Sequence, residues 1–243
     1  MEMKNKIAVV TGASGGIGSA IAKHLDNNGC KVALAARSVD ILESLQKELK
    51  NPSLVVAMDV SSSESVAQGF DKILNEYNTI DILVNVAGVM PLTYLKNLHL
   101  EEWLQTIEVN VKGILRTVHG ALPSMKDNKK GHIVNIASVD GKELYKGGAV
   151  YGASKAAIIA LSRAMRMELS PEFNIKVTSI EPGTVDTDLR QDITDKELLE
   201  DKDYGGDEPK LDADAIARAV VYAVSEADEV NVNEILIKPT GKS

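Results

Sequence analysis

Tyr151 and Lys155 stand four residues apart in Tyr151-Gly152-Ala153-Ser154-Lys155, and Ser138 lies 13 residues before the tyrosine, at the end of an apolar run. A phenol with its ordinary pKa of about 10 holds its proton too tightly to exchange it readily at neutral pH. A nearby ammonium favours the phenolate and lowers that value. Residues i and i+4 of a helix share a face, so Lys155 is expected beside Tyr151. A serine hydroxyl can hold a carbonyl oxygen while the tyrosine protonates it. Together these side chains predict acid–base chemistry at a ketone, an aldehyde or the matching alcohol, if another part of the chain brings a hydride. Taken alone, Tyr-x-x-x-Lys is equally what two neighbouring surface residues of a helix look like, so its weight depends on the rest of the chain.

The elements that must position these groups start near the N-terminus. Lys6-Ile7-Ala8-Val9-Val10 reads as a buried parallel strand and runs into Thr11-Gly12-Ala13-Ser14-Gly15-Gly16-Ile17-Gly18, followed by a helical pattern from Ser19 to Asn28. A strand, a glycine-rich turn and a helix N-terminus form a phosphate cradle, because glycine lets the backbone approach the pyrophosphate and the helix end presents free N–H groups. The residues expected to hold it are Gly12, Ser14, Gly16, Ile17 and Gly18. Their spacing is G-x-x-x-G-x-G rather than the usual G-x-G-x-x-G, and such a turn can also be only a tight strand–helix connection.

These two features in this order resemble the short-chain dehydrogenase/reductase family, and the resemblance covers nearly the whole chain. It includes Thr11-Gly12-x-x-x-Gly16-x-Gly18, Asp59-Val60, Asn85-Val86-Ala87-Gly88, Asn110, Ser138, Tyr151-x-x-x-Lys155 and Pro182-Gly183. One departure is visible: the family usually has Asn-Asn-Ala-Gly where this chain has Val86 in second place. The turn is expected to survive on Asn85 and Gly88, without whatever the second amide does. The resemblance implies that Tyr151 is the general acid in reduction and the base in oxidation, and that Lys155 tunes it and holds the nicotinamide ribose. It implies that Ser138 orients the carbonyl oxygen and that Asn110 holds a proton-relaying water. It further implies that Asp59 and Val60 border the adenine, that Asn85, Ala87 and Gly88 line the cofactor, and that Pro182, Gly183, Val185 and Thr187 flank the nicotinamide. Asp59 has a structural alternative as a cap for the Ser61–Ser65 region, and Thr187 as a turn cap.

An acidic residue about 20 positions after the glycine turn would bind the adenosine ribose hydroxyls. Here the second strand, Lys31 to Ala36, ends in Arg37-Ser38, with no acid at its tip. Ala36 leaves room and Arg37 offers a planar cation for a 2′-phosphate, so NADP(H) is expected to be preferred and NAD(H) to remain possible. Ser14-Gly15 supplies no second basic residue inside the turn.

Apolar, β-branched runs near 6–11, 31–36, 54–58, 80–86, 131–137, 175–181 and 233–238 alternate with helical patterns near 17–28, 39–50, 63–77, 100–125, 149–170 and 212–226. The alternation predicts an α/β fold: a Rossmann-type doubly wound parallel sheet of about seven strands with helices on both faces. Gly12, Asp59, Asn85, Ser138 and Pro182 all follow strands, so one sheet edge gathers them. A single domain spanning 1–243 fits the length. The charged stretch 186–210 breaks the rhythm and is expected to be a substrate lid, with a solvated acidic loop as the alternative.

A net charge of −8 leaves no basic footprint for nucleic acid or an anionic membrane. No apolar stretch has bilayer-spanning length and residues 1–6 carry no signal-like core, so a cytoplasmic location is expected. Cys30, the single cysteine, reads as a small buried hydrophobe. His24, His99, His119 and His132 have no ligand spacing, and no metal is expected.

Residues expected near the substrate are Asp140 and Tyr145, with Val89, Met90, Lys142, Glu143 and Leu144. Their polarity points to a small carbonyl or alcohol rather than a sterol or long acyl chain. Tyr145-Lys146-Gly147-Gly148 stands where acyl-carrier ketoreductases of the family tend to have Gly-Asn. The rival reading is an NADP-binding regulatory or sensor protein without turnover, and the intact Ser–Tyr–Lys set argues against it. By resemblance the chain is a homo-oligomer, tetramer or dimer, assembled through the helices near 100–125 and 149–170 and the last strand.

Overall fold

The computed structural model describes residues 3–201 and 209–241. Among these, the chain runs β1 (Ile7–Thr11), α1 (Gly16–Asn27), β2 (Lys31–Ala36), α2 (Val39–Gln46), β3 (Ser53–Ala57), α3 (Ser63–Tyr77) and β4 (Ile82–Asn85). It continues through α4 (Leu100–Ile107), α5 (Gly113–Asp127), β5 (Gly131–Ile136), α6 (Ala149–Phe173), β6 (Ile175–Pro182), α7 (Lys196–Glu200), α8 (Ala213–Ser225) and β7 (Glu234–Ile237). All seven strands are parallel, in the order β3-β2-β1-β4-β5-β6-β7. Strand order reverses between β1 and β4, which is where an open α/β sheet leaves a crevice at its carboxyl edge.

Alternate residues of each central strand enter opposite cores, as the period of two requires. Ala8 and Val10, Val32 and Leu34, Ile82 and Val84 face the layer built by α1, α2 and α8. Val9, Ala33 and Leu83 face the layer of α3, α5 and α6. Both faces are therefore apolar, which is why the strands read as unbroken hydrophobic runs. Cys30 is fully buried, and that burial pushes its thiol up to about 11.

Three elements differ from the expected pattern. α2 ends at Gln46 rather than near 50, because the buried Asp26 carboxylate at the end of α1 accepts hydrogen bonds from the Lys50 and Asn51 N–H groups, both at 2.8 Å. The helix expected over 100–125 is interrupted by one π-helical turn, Glu108–Lys112, between α4 and α5. The wider turn accommodates Asn110, a poor helix former, which is buried and bonds away from its own helix. The stretch 186–210 carries a 3₁₀ turn at Asp188–Asp192 and the short α7, while residues 202–208 of the expected lid lie outside the described residues.

At the strand reversal the ends of β1 and β4 are joined directly. The Thr11 hydroxyl accepts the Val86 N–H at 3.1 Å and the Ala87 N–H at 3.3 Å. Gly12 has φ +65°, and a Cβ there would stand 2.8 Å from the Ala87 Cα. An L side chain is penalised both by the left-handed backbone and by that contact. Gly12→Ala is therefore expected to destabilise the fold by about 2 kcal/mol or more. Urea denaturation measures this, and a change within about 0.5 kcal/mol would contradict it.

Candidate active site

The carboxyl edge of the sheet opens into a cleft of about 740 Å³. At one end lie Gly12, Ser14, Gly16, Ile17, Gly18, Arg37, Asp59 and Val60. Ala87, Gly88, Pro182, Gly183, Val185 and Thr187 form the middle, and Ser138, Asp140, Tyr145, Tyr151 and Lys155 the other end. Of the residues expected in the site, Asn85, Asn110 and Lys142 do not line the cleft.

The glycine turn is shaped for a diphosphate. A Cβ at Gly18 would collide with the Gly12 carbonyl oxygen, and one at Gly16 would sit 3.3 Å from Cγ2 of Thr187. Glycine at these positions brings the turn close to α1 and leaves a shallow floor. The N-cap residue Gly15 offers no side chain to the first-turn N–H groups, and no acid occupies that turn. Those donors and the helix dipole face the cleft, so the residues fit an anionic dinucleotide. At the far end Arg37 is exposed and forms no ion pair with any described residue. Asp59 builds a tight turn: its Oδ1 accepts from the Ser61 N–H at 2.9 Å and the Ser61 hydroxyl at 2.7 Å, which hold the carboxyl below its ordinary range. The N-cap of α3 is Ser62, not Asp59.

Tyr151, Lys155 and Ser138 are all buried, the first two one turn apart on α6 and the third just past β5. Lys155 donates to the Ile136 carbonyl at 3.0 Å, and its Nζ lies 5.6 Å from the centre of the Tyr151 ring. Burial lowers the Lys155 ammonium to about 8, against the opposing pull of Asp140. The expectation that Lys155 would bring down the tyrosine is corrected here. Burial, and then the Asp140 carboxylate, push the Tyr151 phenol well above its usual value, while the Ser138 hydroxyl opposes them. Burial therefore favours the protonated phenol at Tyr151.

Much of that burial comes from the segment after β6. Tyr151 packs with Met90, Leu92, Ile193 and Leu198 in a small apolar cluster of its own. The segment is pinned by the buried Asp195, whose carboxylate accepts from Tyr94 N–H at 2.8 Å, from the Asn97 amide at 2.9 Å and from two N–H groups at the start of α7. Its base closes where Val185 and Leu211 form a parallel bridge.

Several supporting residues were not legible as such. Asn85 faces the layer of α5 and α6, where it accepts from Thr117 at 2.7 Å and donates to Asn135 at 2.9 Å, and Asn135 donates in turn to Ser162. It therefore stands under the cofactor turn instead of lining the cleft. Asn110 clamps the next loop through both the N–H and the C=O of Val89, at 2.8 and 3.0 Å, and donates to Ser154. A Cβ at Gly141 or Gly152 would meet, within 3 Å, the backbone of Lys155 or the Asp140 carbonyl. Both glycines therefore let the Ser138–Tyr145 loop lie on α6. Lys142, expected near the substrate, turns away to Glu181 and Glu234, at 2.7 and 3.0 Å. Lys238, Pro239 and Leu189 line the cleft without having been anticipated.

The sequence profile of the family described as short chain dehydrogenase matches residues 6–198. An uncharacterized oxidoreductase of Staphylococcus saprophyticus is 39% identical over 99% of this chain and 98% of its own. One from Listeria monocytogenes is 38% identical over 100% and 99%. Among solved structures, an alcohol dehydrogenase from Thermococcus sibiricus complexed with 5-hydroxy-NADP superposes with a TM-score of 0.86 at 33% identity, covering 99% of both chains. The closed form of serine dehydrogenase complexed with NADP+ gives 0.90 at 30% identity, covering 98% of this chain and 96% of that one. Sequence, sheet order and cleft agree, and the chain belongs to the short-chain dehydrogenase/reductase family of oxidoreductases.

Proposed function

We propose that this protein is an NADP(H)-dependent oxidoreductase that interconverts a small carbonyl compound and its alcohol. The observation that carries the reading is the convergence of buried Ser138, Tyr151 and Lys155 on the cleft whose other end is the glycine turn. That one structural neighbour is complexed with 5-hydroxy-NADP and another with NADP+ supports the choice of cofactor. Bound NADPH supplies the hydride in reduction and NADP+ accepts it in oxidation. The chain's own part is to bind, orient and move a proton. Gly12, Ser14, Gly16, Ile17 and Gly18 hold the diphosphate, and Arg37 the 2′-phosphate. Asp59, Val60, Ala87 and Gly88 follow towards the middle, and Pro182, Gly183, Val185 and Thr187 border the reacting ring.

Ser138 orients the carbonyl oxygen and stabilises the charge that develops on it. Tyr151 gives that oxygen its proton, and its raised pKa keeps the proton in place until then. Lys155 supplies positive charge beside the phenolate that is left. Asn110 fixes the Val89 loop and the start of a proton path towards Lys155. The segment 186–210 acts as a lid that excludes water, with Asp195 as its latch. A homo-oligomer formed through α4, α5, α6 and β7 accounts for Leu100, Leu104, Leu115, Met167 and Leu236, which are exposed in the single chain.

Three measurements check these assignments. Tyr151→Phe should lower turnover of the best carbonyl substrate at least about 100-fold while leaving NADPH binding by fluorescence titration intact. Retained turnover would defeat the mechanism. Arg37→Ala should weaken NADPH binding about 10- to 100-fold without affecting NADH, the loss of a charge-assisted phosphate contact. An equal effect on both would remove Arg37 from the 2′-phosphate.

The third concerns stability against pH. Lys155 titrates near 8 when folded and near 10.5 when unfolded. Below about 8 both states are charged and the burial penalty is full, on the order of 3 kcal/mol. Between the two values the unfolded chain binds more protons, so stability rises with pH. Lys155→Met should therefore stabilise the fold by about 1–3 kcal/mol at pH 7, with a smaller gain at pH 10, despite leaving the Ile136 carbonyl unpaired. Destabilisation at pH 7 would contradict it.

A further inference from the structure

The substrate end of the cleft holds a carboxylate that the reaction above does not use. Asp140 lies two residues past Ser138, in the 3₁₀ turn Val139–Gly141. Its N–H donates to the Ser138 Oγ at 3.1 Å, so its position is tied to the hydroxyl that orients the reacting oxygen. The side chain is half-buried and lines the cleft. It accepts a long hydrogen bond, 3.5 Å, from the Tyr145 hydroxyl, and the Ser138 hydroxyl also bears on it.

Other acids of this region are already matched. Glu143 pairs with Lys238 at 2.5 Å, and Glu181 and Glu234 share Lys142. Asp188 accepts from the Gln191 amide at 2.6 Å. Asp140 has no cation within ion-pair distance among the described residues, because Lys142, the nearest lysine along its loop, points to Glu181. Its charge is felt by both Tyr151 and Lys155. Burial raises its own carboxyl above the usual range even though the Ser138 hydroxyl, the Lys155 ammonium and the Tyr145 hydroxyl oppose it, and a cation in direct contact would oppose it further. A carboxylate next to the reacting centre attracts a cation and repels a substrate carboxylate. A neutral hydroxyl would leave it with no partner closer than the more distant Lys155 charge.

We propose that Asp140 selects substrates with a protonated amine on the carbon next to the one that reacts, so that the cleft takes α-amino ketones and vicinal amino alcohols lacking a carboxylate. This rests on the oxidoreductase reading above. In reduction the carbonyl carbon gains the hydride of NADPH and the oxygen gains the Tyr151 proton. The products are the amino alcohol and NADP+, and the phenolate recovers a proton from solvent. The ammonium keeps its charge throughout and stays on Asp140.

Aminoacetone, hydroxyacetone and pyruvate are cationic, neutral and anionic probes of similar size. With saturating NADPH, kcat/KM of the wild-type protein should favour aminoacetone over hydroxyacetone at least about tenfold, with pyruvate the poorest. The preference should fall at least about tenfold in Asp140→Asn. Calorimetric titration of the NADP+-loaded protein with aminoacetone gives a readout without turnover, and binding should weaken at least about tenfold in the same variant. A wild-type ratio near one, which needs no variant to measure, would overturn the proposal. So would a ratio or an affinity that the substitution leaves unchanged. Absence of turnover with every carbonyl would defeat the oxidoreductase reading, while Asp140-dependent binding of aminoacetone would still uphold the amine site.

Discussion

The backbone contact between the ends of β1 and β4 is the constraint on which the rest depends. Gly12 can approach Ala87 because it has no Cβ, and the Thr11 hydroxyl ties both N–H groups of the Val86-Ala87 turn to β1. The strand order reverses at this point, so a crevice opens there. Beneath it, Asn85 and Asn135 of the sheet bond to each other and to Thr117 of α5 and Ser162 of α6, between the sheet and that helix layer. A buried polar chain of this kind holds strand ends in register because each broken link leaves an unpaired group in the core. Val86 in place of the family's second asparagine does not disturb this, because the turn is held through its N–H groups and not through that side chain.

Above that floor the site balances two buried ionisable groups against each other. Lys155 keeps one hydrogen bond to Ile136, and Tyr151 is enclosed by Leu92, Ile193 and Leu198. Burial alone would favour neutral forms of both. Asp140 strengthens the effect on the phenol and opposes it on the ammonium. The result is a protonated donor next to a cation that costs the fold stability. Desolvated ionisable groups gathered on a cleft in this way mark a candidate functional site.

The architecture and the residues gathered on the cleft were readable because they rest on local signals: apolar runs, a glycine turn and an i, i+4 pair. What could not be read depends on partners distant in sequence. Asp26 ends α2 from about 24 residues away, and no propensity announces it. Asn85 follows a strand like its neighbours, and only the pairing with Asn135 decides that it faces inward. Lys142 sits among substrate-loop residues, yet Glu181 and Glu234 claim it. The direction of the Tyr151 shift is illegible for the same reason: spacing shows that a lysine is near, but not that apolar residues such as Ile193 and Leu198 enclose the phenol.

The central claim is that one cleft brings hydride and proton to the same carbonyl group. Transfer of deuterium from NADPH labelled at the reactive carbon of its nicotinamide ring tests it most directly, with the product alcohol read by mass spectrometry. The account predicts an alcohol that carries deuterium on its carbinol carbon, formed by the wild-type protein and not by Tyr151→Phe. Unlabelled alcohol, or labelled alcohol formed equally well by the variant, would contradict it.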